Sequence, residues 1–203
     1  VVSNYSGTTV DVTRGNLNIS GEQYQVVDTP GIYSLMPLSE DEQVTRDLII
    51  REKPNVIVQV CDMKNIERSL HLFFELSLFE IPMVLVLNMH DEAVQSGIRI
   101  DVSRLKEILQ VPIVVCTATT GDGIKDIIKS IPLAKTGAVN IDYTYSKDID
   151  FINNILKDKL SFSKALSVYL LSADKGINKY IPENIRSFVL ESCSKAVKNE
   201  FKM

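Results

Sequence analysis

Apolar residues in the first two thirds of the chain fall into short blocks whose spacing alternates between two periods, predicting strands interleaved with helices. Thr9 to Leu17 and Gln23 to Asp28 read as strands, and the Ser20-Gly21 pair between them reads as a hairpin turn. Ser39 and Glu42 have the spacing of a capping box ahead of a helix that carries Val44, Leu48 and Ile49 on one face and is closed by Pro54. Val56 to Val60 and Met83 to Leu87 are continuous apolar runs, as expected of parallel strands covered on both faces. Between them Ile66, Leu70, Phe73 and Phe74 recur at helical spacing. A helix over Val102 to Leu109, a strand over Ile113 to Val115 and a helix over Ile124 to Ile128 complete an α/β pattern with crossover connections.

Past Pro132 the strand-like runs stop. Phe151, Ile152, Ile155 and Leu156 form one helical stripe, Phe162, Ala165, Leu166, Tyr169 and Leu170 a second, and Ile185, Phe188, Val189 and Cys193 a third, with Pro182 at a helix start. The pattern predicts an α/β domain over 1–134 and a small all-α helical domain over 135–203.

Composition narrows the field of functions. A formal charge of −4 with interspersed signs provides no positive field for a phosphate backbone, so nucleic acid is not the expected partner. Cys61, Cys116 and Cys193 form no CxxC pair and are odd in number, which argues against a disulfide framework or a zinc site and reads as buried thiols of a reducing compartment. No apolar run is long enough to span a bilayer, and the segment is expected to be soluble. The first residue is Val1, and the N-terminus reads as cut.

Three clusters carry the candidate chemistry, each after a predicted strand, where open α/β sheets bind ligands. Asp28-Thr29-Pro30-Gly31 places a carboxylate where a nucleotide switch holds magnesium, and a glycine whose N–H can approach a terminal phosphate; the same tetrad is also a good plain turn. Asn88-Met89-His90-Asp91 places a carboxylate that can accept two N–H bonds from a guanine edge, with Asn88 tying the loop together; by itself NxxD is more often a surface loop or helix N-cap. Cys116-Thr117-Ala118 could present a main-chain N–H to the guanine carbonyl. Order and position, more than any one motif, raise these above chance. His71 and His90 lack the company of a metal ligand.

The segments NYSGTTVD, VVDTPGIYSL, LNMHDEA and SGIRIDVSRL resemble the switch and base-recognition segments of the FeoB family of bacterial ferrous iron transporters, over nearly all of Val1 to Ile131. The resemblance implies a Ras-like GTPase sheet with flanking helices, followed by the family's helical domain. It implies that Thr9 contacts magnesium and the terminal phosphate within a loop of Gly7, Thr8, Thr9, Val10 and Asp11, that Asp28 and Gly31 sense that phosphate, and that Asn88, Asp91, Thr117 and Ala118 hold guanine. GTP or GDP with Mg2+ would be the ligands, and the intact protein would add an activating K+. The implied setting is the cytoplasmic face of the bacterial inner membrane, with the transporter's own downstream transmembrane region as partner and oligomerisation through the helical or membrane region.

One family element is missing. The phosphate loop, GxxxxGK[ST], does not occur in these residues; the family carries it upstream of the point where this chain starts, with a strand of about five residues and a helix of about eleven. That strand lies mid-sheet, so the strands ending at Asp28 and Asp62 are expected to lack a shared neighbour, and this fragment alone to be inactive. Ile32 stands where Ras-like enzymes have a water-orienting glutamine, which implies slow hydrolysis suited to a switch. Two other classes remain open: a ribosome- or RNA-associated GTPase, for which no basic module is present, and a nucleotide-free interaction module.

Overall fold

The computed structural model of the chain describes residues 2–4, 11–36, 39–137 and 146–200, with the side chains of 2–4, 146 and 198–200 excepted. It divides into two compact units, Val1–Val139 and Asn140–Met203.

The first unit opens with an antiparallel sheet in the order β1-β2-β3, formed by β1 (Val2–Asn4), β2 (Asp11–Ile19) and β3 (Glu22–Asp28). Ile19 pairs with Glu22, so the hairpin loop is the two residues Ser20 and Gly21, both at positive φ (53° and 93°). That backbone matches the right-handed twist of the strands it joins, and the Asn18 carboxamide oxygen accepts the Gly21 N–H at 3.1 Å. β1 was not foreseen: the sequence pattern starts its first strand at Thr9, whereas Val2–Asn4 pairs antiparallel with Asp11 to Thr13. Thr9, expected to begin the first predicted strand, lies outside the described residues.

Helix α1 (Glu40–Glu52) starts with the expected capping box. Ser39 Oγ accepts the Glu42 N–H at 3.3 Å and the Glu42 carboxylate accepts the Ser39 N–H at 3.2 Å, satisfying two otherwise orphaned donors. The helix ends at Lys53 in the left-handed region, one residue before Pro54. Val44 and Leu48 pack on Val12 with Val27 alongside, roofing the first sheet.

The second sheet is parallel, ordered β4-β5-β6 and formed by β4 (Ile57–Asp62), β5 (Met83–Asn88) and β6 (Ile113–Val115). Helix α2 (Ile66–Ser77) connects the first pair; the short α3 (His90–Gln95) and α4 (Val102–Leu109) connect the second; α5 (Ile124–Ser130) follows β6. Asp62 pairs with Asn88 and Leu87 with Val115, so the carboxyl ends of all three strands share one edge of the sheet. β5 is enclosed, with every side chain from Met83 to Leu87 no more than 1% exposed. β4 departs from expectation. Gln59 and Cys61 are buried on the side where the Gln59 carboxamide donates to the Ser69 carbonyl of α2 at 2.7 Å, but Val58 and Val60 on the other face are 38% and 63% exposed. On that face α5 packs Ile127 over Val84, Val86 and Val114 and its cover stops there, since a helix about 10 Å wide spans about two strands at 4.8 Å spacing.

β3 and β4 belong to different sheets. Between them lies a slot of about 330 Å³, lined by Val27 and Leu48 on one side and by Val58, Val60 and Leu72 on the other.

The second unit is helical. α6 (Ser146–Leu156), α7 (Ser163–Leu171) and α8 (Glu183–Glu200) pack on one another. Ile149, Ile152, Leu156, Leu166, Tyr169, Val189 and Cys193 fill the core, and Ser163 Oγ donates to the Asn153 carboxamide oxygen at 2.6 Å between α6 and α7. Phe151 and Phe188, assigned to the core stripes from spacing, are 53% and 56% exposed. Each precedes a core residue, Ile152 or Val189, and so sits about 100° around the helix from the buried line. Among the described residues no helix is long and apolar enough to cross a membrane. The three cysteines are free and buried, and burial pushes the Cys61 thiol up to about 11 despite a hydrogen bond from Ser69.

Gly123 precedes α5 at φ +83°, and a Cβ there would lie 2.4 Å from the Val115 carbonyl oxygen; Gly97, at φ +73°, has nothing within 4 Å. Gly97→Ala is expected to cost about 1 kcal/mol for backbone strain alone, and Gly123→Ala about 3 kcal/mol because strain and a backbone clash combine. Urea midpoints of the two variants compare them; equal losses would contradict the close approach to Val115.

Candidate guanine-loop and phosphate-sensing site

Enclosure of β5 fixes where its last residue emerges. Asn88 leaves the strand half-buried, and Met89 turns the chain through the left-handed region (φ 62°) into α3. An L-residue with a long side chain pays about 1 kcal/mol for that conformation, so the surrounding bonds must hold it. Two do. The Asn88 carboxamide oxygen accepts the Ala118 N–H at 3.0 Å, and the His90 N–H donates to the Cys116 carbonyl at 3.2 Å. The loop after β5 is thereby stitched to the loop after β6. Asp91, in the first turn of α3, is exposed with its carboxylate available to a ligand, as are Met89 (38%) and His90.

The loop after β6 is ordered by its own turn. The Cys116 N–H donates to the Leu87 carbonyl at 2.8 Å, the Thr117 N–H to the Asp122 carbonyl at 3.0 Å, and Thr120 Oγ1 bonds the Asp122 carboxylate at 2.8 Å. Cys116 and Thr117 are buried and Ala118 is exposed. Burial is the main cause raising the Cys116 thiol above its ordinary range, with the Asp122 carboxylate adding to it. Each of the three N–H groups in Cys116-Thr117-Ala118 has an acceptor within the protein, so a ligand carbonyl at Ala118 would share that N–H with Asn88.

Sequence reasoning missed a support beneath this loop. Asp62, the last residue of β4, caps the 3-10 turn Met63–Asn65 by accepting the Lys64 N–H at 2.9 Å and the Asn65 carboxamide at 2.8 Å. The Lys64 ammonium then bonds the Glu92 carboxylate in α3, next to Asp91. Glu92 is the main cause raising the Lys64 ammonium above its ordinary range, with smaller pulls from Asp62 and Asp91. The available signal was the polar Asp62-Met63-Lys64-Asn65 stretch directly after an apolar strand.

The other cluster lies at the end of β3. Asp28 is the last residue of that strand and is exposed, as are Thr29 and Gly31. Asp28, Thr29 and Pro30 line a polar depression of about 480 Å³ with Asp11, Glu40 and Asp41. Asp11 begins β2 opposite Asn4. Gly7, Thr8, Thr9 and Val10 lie outside the described residues. Asp11, Asp28, Glu40 and Asp41 all line this depression, and among the described residues no group of three or more His, Cys, Asp or Glu side chains is gathered closely enough to hold a metal ion.

A family model described as ferrous iron transport protein B matches residues 1–131. A curated relative, the Fe(2+) transporter FeoB of Synechocystis, is 32% identical over 157 residues, covering 77% of this chain and 25% of that protein. The chain spans about a quarter of the length of the first curated relatives it matches. A crystal structure of an S. thermophilus NFeoB variant bound to mGDP has a TM-score of 0.85 at 26% identity, covering 100% of this chain and 81% of that one. The cytosolic domain of T. maritima FeoB in its GMPPNP form has a TM-score of 0.77 at 26% identity, covering 100% and 88%.

Asn88→Ala removes the acceptor for the Ala118 N–H and should destabilise the unliganded chain by about 1 kcal/mol, while Asn88→Asp, which keeps an acceptor oxygen, should lose less. Denaturant unfolding checks both, and an unchanged midpoint in Asn88→Ala would show that this bond does not hold the two loops.

Proposed function

The chain belongs to the ferrous iron transport protein B family, and from that membership we propose that it is the GTP-binding and slowly GTP-hydrolysing part of a bacterial ferrous iron transporter, acting as a nucleotide switch for iron uptake at the cytoplasmic face of the membrane. Residues 1–134 form the nucleotide domain and 135–203 a helical domain that precedes the transporter's transmembrane region. The observation that carries the reading is the base loop: Asn88 and Ala118 are bonded to each other, which leaves the Asp91 carboxylate free on the same edge. A carboxylate so placed accepts the N1–H and the 2-amino group of guanine, whereas adenine would set an acceptor against it.

The end of β3 supplies the phosphate side. Asp28, with Thr9 from the preceding loop, would hold Mg2+, which neutralises charge developing on the phosphate oxygens during in-line attack by water. Gly31 brings a main-chain N–H to the terminal phosphate with no side chain in the way. Ile32, half-buried and lining the slot, cannot orient the attacking water, so turnover is slow. A strand leading into a phosphate loop would lie in the slot between β3 and β4, and the helix after such a loop would cover Val58 and Val60. Mg2+, and a K+ held with the phosphate loop, belong to that complete site.

In the full-length protein, Asp91→Asn should weaken GTP binding and favour xanthosine triphosphate, whose ring offers an acceptor where guanine offers a donor. Unchanged preference for GTP would end the base-loop assignment. For the 203 residues alone, guanine contacts of about 1–3 kcal/mol each must offset the immobilisation of the nucleotide without phosphate-loop donors, and GTP is expected to bind no tighter than about millimolar. Calorimetric titration at micromolar affinity would mean that another segment replaces that loop.

A further inference from the structure

The span that follows the phosphate-sensing glycine is gripped by one stripe of α2. Arg68 and Glu75 are seven residues apart, two turns along the same side of the helix. The Arg68 guanidinium stacks 3.4 Å from the centre of the Tyr33 ring. Ser34 Oγ donates to the Glu75 carboxylate at 2.9 and 3.1 Å, and the Leu35 N–H donates to the same carboxylate. The Met36 N–H closes on Ser34 Oγ at 3.0 Å, and the Leu35 side chain is wholly buried.

Consecutive residues 33, 34 and 35 are thus fixed to α2 by a stacked cation and a shared carboxylate, and the Leu35 side chain is buried. Upstream, Asp28 is fixed by the ladder of β3, pairing with Thr13. Only Thr29, Pro30, Gly31 and Ile32 lie between the two anchors, and proline restricts one of those four. A span this short can place its glycine N–H over only a small volume, and the downstream anchor decides which volume. A carboxylate that accepts a main-chain N–H and a hydroxyl together makes a charge-assisted, directional anchor, stronger than either neutral bond.

We propose that Glu75 is a positioning residue for nucleotide discrimination: by holding Ser34 and Leu35 it sets the rest position of Gly31 and so favours a ligand bearing a terminal phosphate over one without it. Arg68 assists from one end of the same stripe. The proposal rests on the reading of Gly31 as the phosphate contact. Removing the anchor leaves the base loop and its Lys64–Glu92 support untouched, so the two halves of the nucleotide should respond differently.

Amide hydrogen exchange on the 203-residue chain reads the anchor without nucleotide. In Glu75→Ala the Leu35 amide should exchange at least about tenfold faster while the amides of β5 keep their protection, and Glu75→Gln should fall between. In the full-length protein, Glu75→Ala should lower the ratio of GTP-analogue to GDP affinity about tenfold with GDP affinity within about twofold of wild type, and Arg68→Met should lower it about two- to threefold. Unchanged Leu35 exchange in Glu75→Ala overturns the anchor. Equal losses of GTP-analogue and GDP affinity in both Glu75 variants overturn the positioning role in favour of a structural one. Absence of guanine-nucleotide binding by the wild-type full-length protein removes the function proposed above, and with it the phosphate-sensing role; faster Leu35 exchange would then stand as a purely structural tether.

Discussion

Five consecutive side chains from Met83 to Leu87 are out of solvent because β5 is paired on both edges and covered on both faces. That enclosure is the constraint on which the base loop depends. A strand with no freedom of register delivers Asn88 to one place, and the parallel pairing of Leu87 with Val115 delivers Cys116 beside it. The left-handed Met89 and the exposed Asp91 are then consequences: the chain must turn sharply away from an immobile strand, and the bonds from Asn88 and His90 to the neighbouring loop offset the strain of that turn.

The phosphate side is built on different principles. β3 is held by a hairpin partner on one edge and by α1 on one face, and its last residue, Asp28, opens into solvent. Precision there comes less from burial than from tethering, through the capping box that starts α1 and the α2 side chains that take hold of Tyr33 to Leu35. In the function proposed above one half recognises a flat base and the other responds to a terminal phosphate, and the structure divides along the same line, with one half rigid and the other pinned at intervals.

Much of this was legible in the sequence because it is governed by short-range rules. The Ser20-Gly21 hairpin, the Ser39–Glu42 capping box and the helix Val102–Leu109 follow from turn, cap and period signals within a dozen residues. The family was legible through VVDTPGIYSL and LNMHDEA, which combine a strand end with a chemically demanding loop. What escaped depends on distant partners. β1 exists only because Val2–Asn4 finds Asp11 to Thr13, and the exposure of Val58 and Val60 follows from how far α5 reaches across the sheet. Phe151 and Phe188 failed as core residues because apolar character at nearly the right helical angle is indistinguishable in sequence from the right angle. Lys64, Glu75 and Glu92 carry ordinary surface charges, and nothing in their local sequence announces that each bonds an element elsewhere in the chain.

The division of the strands into two sheets has a consequence in time as well as in space. Among the described residues every strand pair joins strands that are consecutive in chain order, and none joins β3 to β4. Loop-closure entropy is therefore modest for each pairing, and the hairpin sheet and the parallel sheet can each nucleate without waiting for the other. Within these residues the β2–β3 hairpin and α1 close over Val12 from neighbours in sequence, while β5 and β6 are brought together only by the longer connection through α3 and α4.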